Sequence, residues 1–312
     1  MKDLKKNLLG LPALVTSMVI WGSIGIFRQY IPFPSGMIAF CRGFVGMLFL
    51  LLVMLIAKRR PDVGAWRKNL IPLCVSGVLL GANWIFLFES YNQNLKGHTS
   101  VTVATICYYM APVIVTLLAP LVLKERLTLK KAVCVGVAFG GVILVTLFSG
   151  GQTNAQGSQV TGILLALGAA VMYAAIVLLN KTMKDISALD RTVAQLGISA
   201  VVMLPYTLLF EPVYELEIEA VGVVCLAVVC LLHTGVAYAL YFGSIGRLQA
   251  QTAALCSYID PVETVILSAI ILRENVGVWG VLGAVLVIGA ALVGELEWRH
   301  KGAEPAAPNE TE

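Results

Sequence analysis

The chain has 312 residues, 58% of them hydrophobic and 13% charged, with a formal net charge of +4. Soluble domains run at roughly 45–50% apolar and about 25% charged, so a chain this apolar cannot cover itself with polar surface, and its solvent is lipid. The basic excess sits in short clusters between apolar runs, a pattern that sets membrane topology and does not suggest nucleic-acid binding. All seven cysteines fall inside apolar runs without CxxC or metal spacing, and the three histidines are scattered. The sequence therefore offers no disulfide framework, metal site or cofactor motif.

A spanning helix needs about 20 mostly apolar residues. Ten runs meet that requirement, over 9–28, 36–57, 70–90, 98–122, 131–149, 159–180, 191–210, 219–243, 249–271 and 276–294. The first is long enough to span and does not read as a cleaved signal. It carries Trp21-Gly22-Ser23; the second holds Arg42, and the third holds Asn83 and Trp84. The fourth has a polar stripe of His98, Thr102, Thr105, Tyr109 and Thr116 at three- or four-residue steps, interrupted by Pro112. His233 lies near the middle of the eighth run. The ninth carries Gln249, Thr252, Cys256, Asp260 and Glu263 at helical spacing, with Tyr258 and Pro261 beside them. Residues 299–312 form a polar tail expected to be disordered.

Two stretches repeat. Ala111-Pro112-Val113 leads to Lys124-Glu125-Arg126, and Asp260-Pro261-Val262 leads to Arg273-Glu274-Asn275 at the same spacing, each followed by a glycine-rich apolar run. So long a period indicates a duplicated half-protein, 1–150 and 151–298, and not a solenoid. All lysines and arginines except Arg28, Lys96, Arg273 and Arg42 fall at one side if the N-terminus is cytoplasmic. The fold class predicted is thus all-α integral membrane: ten transmembrane helices, both termini cytoplasmic, in a 5+5 inverted repeat. Matched proline-interrupted segments in inverted halves point to a transporter and to its binding site.

These residues resemble the drug/metabolite transporter superfamily, EamA type, over essentially the whole chain. Trp21-Gly22, Arg42, Pro112 and Pro261, and Glu125 and Glu274 before their glycine-rich helices carry the likeness. The resemblance implies a five-plus-five inverted repeat around a central cavity, with helices 5 and 10 peripheral, and export of amino acids, other metabolites or drugs. The second half departs from the pattern. Tyr173-Ala174 stands where a Trp-Gly pair would repeat, and Gln195-Leu196 where an arginine would.

Asp260 is the sharpest candidate. It lies near the bilayer midplane, where a charge costs roughly 2.5–3.5 kcal/mol on insertion scales and normally faces a cavity or a partner. Glu263 follows by about 4.5 Å along the helix, near the same face. The pair suits a substrate ammonium or a proton site; a buried Asp that caps a helix or pairs with Arg42 is the plainer reading. Tyr109 and its repeat equivalent Tyr258 are placed to stack on a substrate or hydrogen-bond to it, and Trp21, Asn83 and Trp84 to line the pocket. His233 is read as a proton relay or a satisfied core histidine. Arg42 is expected near the depth of Glu263, with an Arg42–Glu263 or Arg42–Glu89 ion pair as gate or charge neutralisation. Pro112 and Pro261 are read as hinges or kinks, and Glu125 and Glu274 as helix-end residues.

The resulting expectation is a secondary transporter of the cell membrane, an exporter of a small metabolite such as an amino acid or related amine. It works by alternating access, with proton coupling open. The alternative is a multidrug or organic-cation exporter. A channel or scaffold ranks lower, as does an intramembrane enzyme: HExxH is absent, Gly22-Ser23-Ile24-Gly25 is not a rhomboid motif, and only one intramembrane aspartate is available. The expected partners are a small-molecule substrate, lipid and protons, with no nucleic acid, metal or cofactor.

Overall fold

A computed structural model describes residues 2–92, 95, 98–122, 129–148, 160–212, 219–245, 256–274 and 277–295. All regular structure among them is helical, and a helix satisfies its own backbone groups where lipid offers no water. The helices are α1 (Lys2–Gly22), α2 (Ile24–Gln29), α3 (Ser35–Ile56), α4 (Val63–Lys68), α5 (Leu70–Ser90), α6 (Val101–Tyr108) and α7 (Ala111–Val122). Then come α8 (Leu129–Phe148), α9 (Val160–Thr182), α10 (Ala188–Phe210), α11 (Ala220–Val228), a π-helical segment (Val229–Val236) and α12 (Ala237–Ile245). The last two are α13 (Ile259–Ile271) and α14 (Gly277–Glu295).

Among the described residues seven segments are long and apolar enough to cross a bilayer: Gly10–Gln29, Ser35–Ile56, Leu70–Ser90, Val101–Val122, Val160–Thr182, Ala188–Phe210 and Ala220–Ser244. Shorter apolar stretches occupy Ala132–Leu144 and Gly277–Ala290. The ninth run is described only from Cys256, and its earlier residues Gln249 and Thr252 lie outside the described residues, as do Glu125, the junction near 150 and the tail 299–312. The short α4 has no counterpart among the ten apolar runs; Asp62 starts it by accepting from the Ala65 N–H at 2.9 Å.

Packing crosses between the halves. α3 lies along α10, α8 along α14, α5 along α9, and α1 along α12. Likewise α5 meets α10 while α3 meets the π segment, and α1 meets α13 while α9 meets α6 and α7. Small residues permit the closest approaches. A Cβ on Gly43 of α3 would lie 2.9 Å from the Leu196 carbonyl of α10, the kind of backbone proximity by which helices associate without a hydrophobic driving force in lipid.

The α3–α10 pair is tied at both ends. At one, Glu211 accepts from the Gly36 N–H at 2.7 Å and the Met37 N–H at 3.0 Å, satisfying the open donors at the start of α3. Beside it a cavity of about 350 Å³ opens between Arg28, Glu89, Asn92 and Glu211. At the opposite end Asp190 accepts from Arg59 Nη2 at 2.6 Å and from the Asp62 N–H at 3.2 Å, while the Trp66 indole N–H donates to the Asp190 carbonyl at 3.0 Å.

Candidate functional site

The site is organised by interruptions in helices. α1 stops at Gly22, turns at Ser23 and resumes as α2. Gly22 is required there by contact: a Cβ would lie 2.8 Å from both the Asp260 carbonyl and Glu263 Oε2. The Thr264 hydroxyl lies 2.8 Å from the Gly22 carbonyl and 3.0 Å from the Asp260 carbonyl, tying α13 to α1. Thus Trp21-Gly22 of the first run and the acidic residues of the ninth form one interface.

The fourth run breaks at Tyr109–Met110 between α6 and α7, and the ninth has a turn at Tyr258 before α13. Pro112 and Pro261 lie in the first turns of α7 and α13, where a missing N–H leaves no intrahelical bond unmade. Each break therefore falls before its proline, and the repeat-equivalent Tyr109 and Tyr258 occupy the breaks, their ring centroids 6.4 Å apart. The carbonyl four residues before Pro261 belongs to Ser257, and the Tyr109 hydroxyl lies 3.4 Å from it. The same hydroxyl lies within electrostatic reach of the Asp260 carboxyl. Tyr108 stands beside Tyr109 and Tyr173, with centroids at 6.3 and 5.7 Å. Glu263 Oε2 is buried against Gly22 without a hydrogen-bond partner.

The eighth run is distorted where it faces α1. The Trp21 indole N–H donates to the His233 carbonyl at 2.8 Å, and its ring packs between Tyr238 and Tyr241, each with a centroid at 5.3 Å. His233, fully buried, has Nε2 3.0 Å from the Ser23 hydroxyl and Nδ1 3.3 Å from the Val228 carbonyl five residues back. Both ring nitrogens thus have partners, the geometry of a satisfied core histidine.

Arg42 forms neither ion pair expected of it. Its Nε donates to the Thr234 hydroxyl at 3.0 Å, and its guanidinium carbon lies 4.1 Å from the Trp84 ring centroid and 5.4 Å from that of Phe88. Glu89 instead accepts from the Ser35 hydroxyl at 2.5 Å and from Asn92 Nδ2 at 3.1 Å. Aromatic faces, attractive to a cation in a desolvated setting, replace the carboxylate. Asn83 donates to the Ala169 carbonyl of α9 at 2.6 Å, while its Oδ1 has no partner. Glu274 sits at a helix end, but not its own: it accepts from the Val101 and Thr102 N–H groups at 2.8 and 3.0 Å and so caps α6. Among the described residues no three His, Cys, Asp or Glu side chains cluster as a metal site.

The sequence assigns no site role to Thr234, Tyr238, Tyr241, Ser23 or Glu211. Only Tyr238 and Tyr241 left a signal, an aromatic pair in the helix that carries His233. The assembly is an aromatic, hydroxyl-rich interior with a carboxyl near one tyrosine and a guanidinium on a separate aromatic wall. Side chains of these kinds suit a small molecule with polar groups and an apolar body.

The EamA-like transporter family model matches this chain twice, over residues 8–147 and 160–294. The uncharacterized transporter YxxF of Bacillus subtilis is 29% identical over 280 residues, covering 89% of this chain and 87% of its own. An uncharacterized transporter of Archaeoglobus fulgidus is 25% identical, over 93% of this chain and 97% of its own. A solved crystal structure covers 93% of the chain, and the chain covers 96% of it, with a TM-score of 0.62 at 16% identity, a likeness of fold. The apolar helices make the protein a multi-pass membrane protein, placed by its bacterial relatives in the cell membrane. With both stretches of the chain matched, it belongs to the EamA-like transporter family.

Proposed function

We propose that this transporter is a secondary carrier that exports a small metabolite, an amino acid or related amine, by alternating access. The observation that carries the reading is the meeting of Tyr109 with Tyr258 and the Ser257 carbonyl at repeat-equivalent helix breaks, next to Asp260, since broken helices at a repeat interface form substrate sites in such carriers. Ten helices in inverted halves, 1–150 and 151–298, with cytoplasmic termini and tail, complete the proposal. Its support is the contact pattern: exchanging the halves turns the α5–α9 pairing into α1–α12, and α5–α10 into α3 with the π segment. Asp260 and Glu263 are the proposed substrate-ammonium or proton sites, with Tyr109, Tyr258, Trp21, Asn83, Trp84, His233 and Arg42 around them.

Reconstituted protein tests this directly. Saturable counterflow of a labelled metabolite without electrical conductance is the expected result, and unsaturable flux would refute a carrier. Asp260→Asn is expected to lower counterflow by about tenfold to a hundredfold, because hydrogen bonds to a charged group contribute about 1.5–3 kcal/mol. Uptake that responds to an imposed pH gradient in wild-type vesicles and not in this variant would tie Asp260 to protons. An organic-cation exporter is the second reading, favoured by the carboxylates and aromatic lining.

A further inference from the structure

Arg42 is a cation 4% exposed within the Ser35–Ile56 span. A charge in that position is paired, or it meets polar groups or water in a cavity. Here Nε donates to Thr234, but neither terminal nitrogen has a hydrogen-bond partner among the described residues, and no carboxylate comes within ion-pair distance. The guanidinium plane is steadied on Trp84 at 4.1 Å, which fixes its direction without consuming its donors. Tyr108 lies within electrostatic reach of both Arg42 and Asp260.

We propose that Arg42 is the anion-recognition group of this site, and that the transported molecule carries a carboxylate which its terminal nitrogens receive. The proposal rests on the carrier reading above and narrows it. A planar fork of two free donors matches a carboxylate bidentately. A simple organic cation would reach Asp260 but leave the guanidinium unneutralised, and the like charge would repel it. A substrate bearing both an ammonium and a carboxylate answers both walls; an amine lacking the carboxylate answers only one.

Matched compounds test this on the purified full chain. The standard amino acids, their decarboxylated amines and their carboxamides are compared by thermal stabilisation in detergent and by counterflow in proteoliposomes. The wild type is expected to bind at least one amino acid at least about thirtyfold more tightly than its amine or amide, the scale of a lost partner in a buried charge pair. Arg42→Met is expected to erase that preference, and Arg42→Lys to keep part of it, since the charge survives without the fork. Should Arg42→Met fail to fold, the wild-type comparison decides alone. Equal binding of amine and amino acid, stabilisation reproduced by chloride alone, or no binding by any carboxylate-bearing member overturns the proposal. Saturable counterflow of amines but not amino acids would sink the anion subsite and leave the carrier standing. No saturable counterflow of any compound would sink the carrier itself.

Discussion

Gly22 does more for this site than any ligand-bearing residue near it, because it lets two helices touch where the acidic groups lie. A methyl group there would fall 2.8 Å from the Asp260 carbonyl and from Glu263 Oε2. The backbone atom cannot swing away, so Gly22→Ala must push α13 off α1. Overpacking of this kind costs about 1–3 kcal/mol, and the variant is expected to melt lower in detergent and to lose counterflow as Asp260 shifts from Tyr109. An unchanged melting temperature with wild-type transport would contradict the contact. The sequence offers Trp21, Asp260, Glu263 and both tyrosines as candidates, and Gly22 only as part of the family likeness. Arg42 shows where that legibility stops. Counting along two spans places Arg42 and Glu263 at similar depth, but depth is one coordinate. Rotation about each helix axis directed Arg42 onto Trp84 and Glu263 towards Gly22, and one sequence carries almost no information on rotation when nearly every face is apolar.

At the scale of the helix, prolines announced the interruptions but not their position. Pro112 and Pro261 sit comfortably in first turns, so the chain breaks ahead of them, at the residues that become Tyr109 and Tyr258 of the site. Pro261→Ala would supply an N–H that competes with the Tyr109 hydroxyl for the Ser257 carbonyl, now 3.4 Å away. The expected outcome is a longer, straighter α13, unchanged or raised thermal stability, and slowed counterflow; full transport rates would deny the break a role. The π segment had no comparable signal, since apolar composition is the same for either winding. Glu274 was legible as a helix-end residue from its place after an apolar run. That it serves α6, distant in sequence, was not. Removing it in Glu274→Ala leaves the Val101 and Thr102 N–H groups open, an expected loss of about 0.5–2 kcal/mol of stability, readable as a lower melting temperature. Glu274→Gln, retaining one acceptor, should recover part of it.

Across the whole molecule, Glu211 and Glu274 belong to the second half of the chain and cap α3 and α6 of the first, both at one end of the bundle. Any motion that opens that end must part these carboxylates from their N–H donors. Glu211 is the one whose titration reports on the clasp. Burial pushes its carboxyl above the ordinary range, the Gly36 and Met37 N–H groups oppose that rise, and nearby Glu89 adds to it. Arg28 and Tyr206 also lie within electrostatic reach. Because the folded value exceeds the unfolded one, the packed state holds the proton more tightly. The contribution of Glu211 to stability therefore grows as pH falls through the raised value and levels off below the usual carboxylate range. The difference in melting temperature between wild type and Glu211→Gln should widen in favour of the wild type as the buffer is acidified across that window. A difference that narrows on acidification, or stays flat, would show that the clasp does not take up a proton. The same linkage extends to the cycle, for a proton that favours the packed end also opposes its opening. Acidifying the Glu211 side of oriented vesicles should slow counterflow in the wild type, and more weakly in Glu211→Gln, whose clasp no longer titrates.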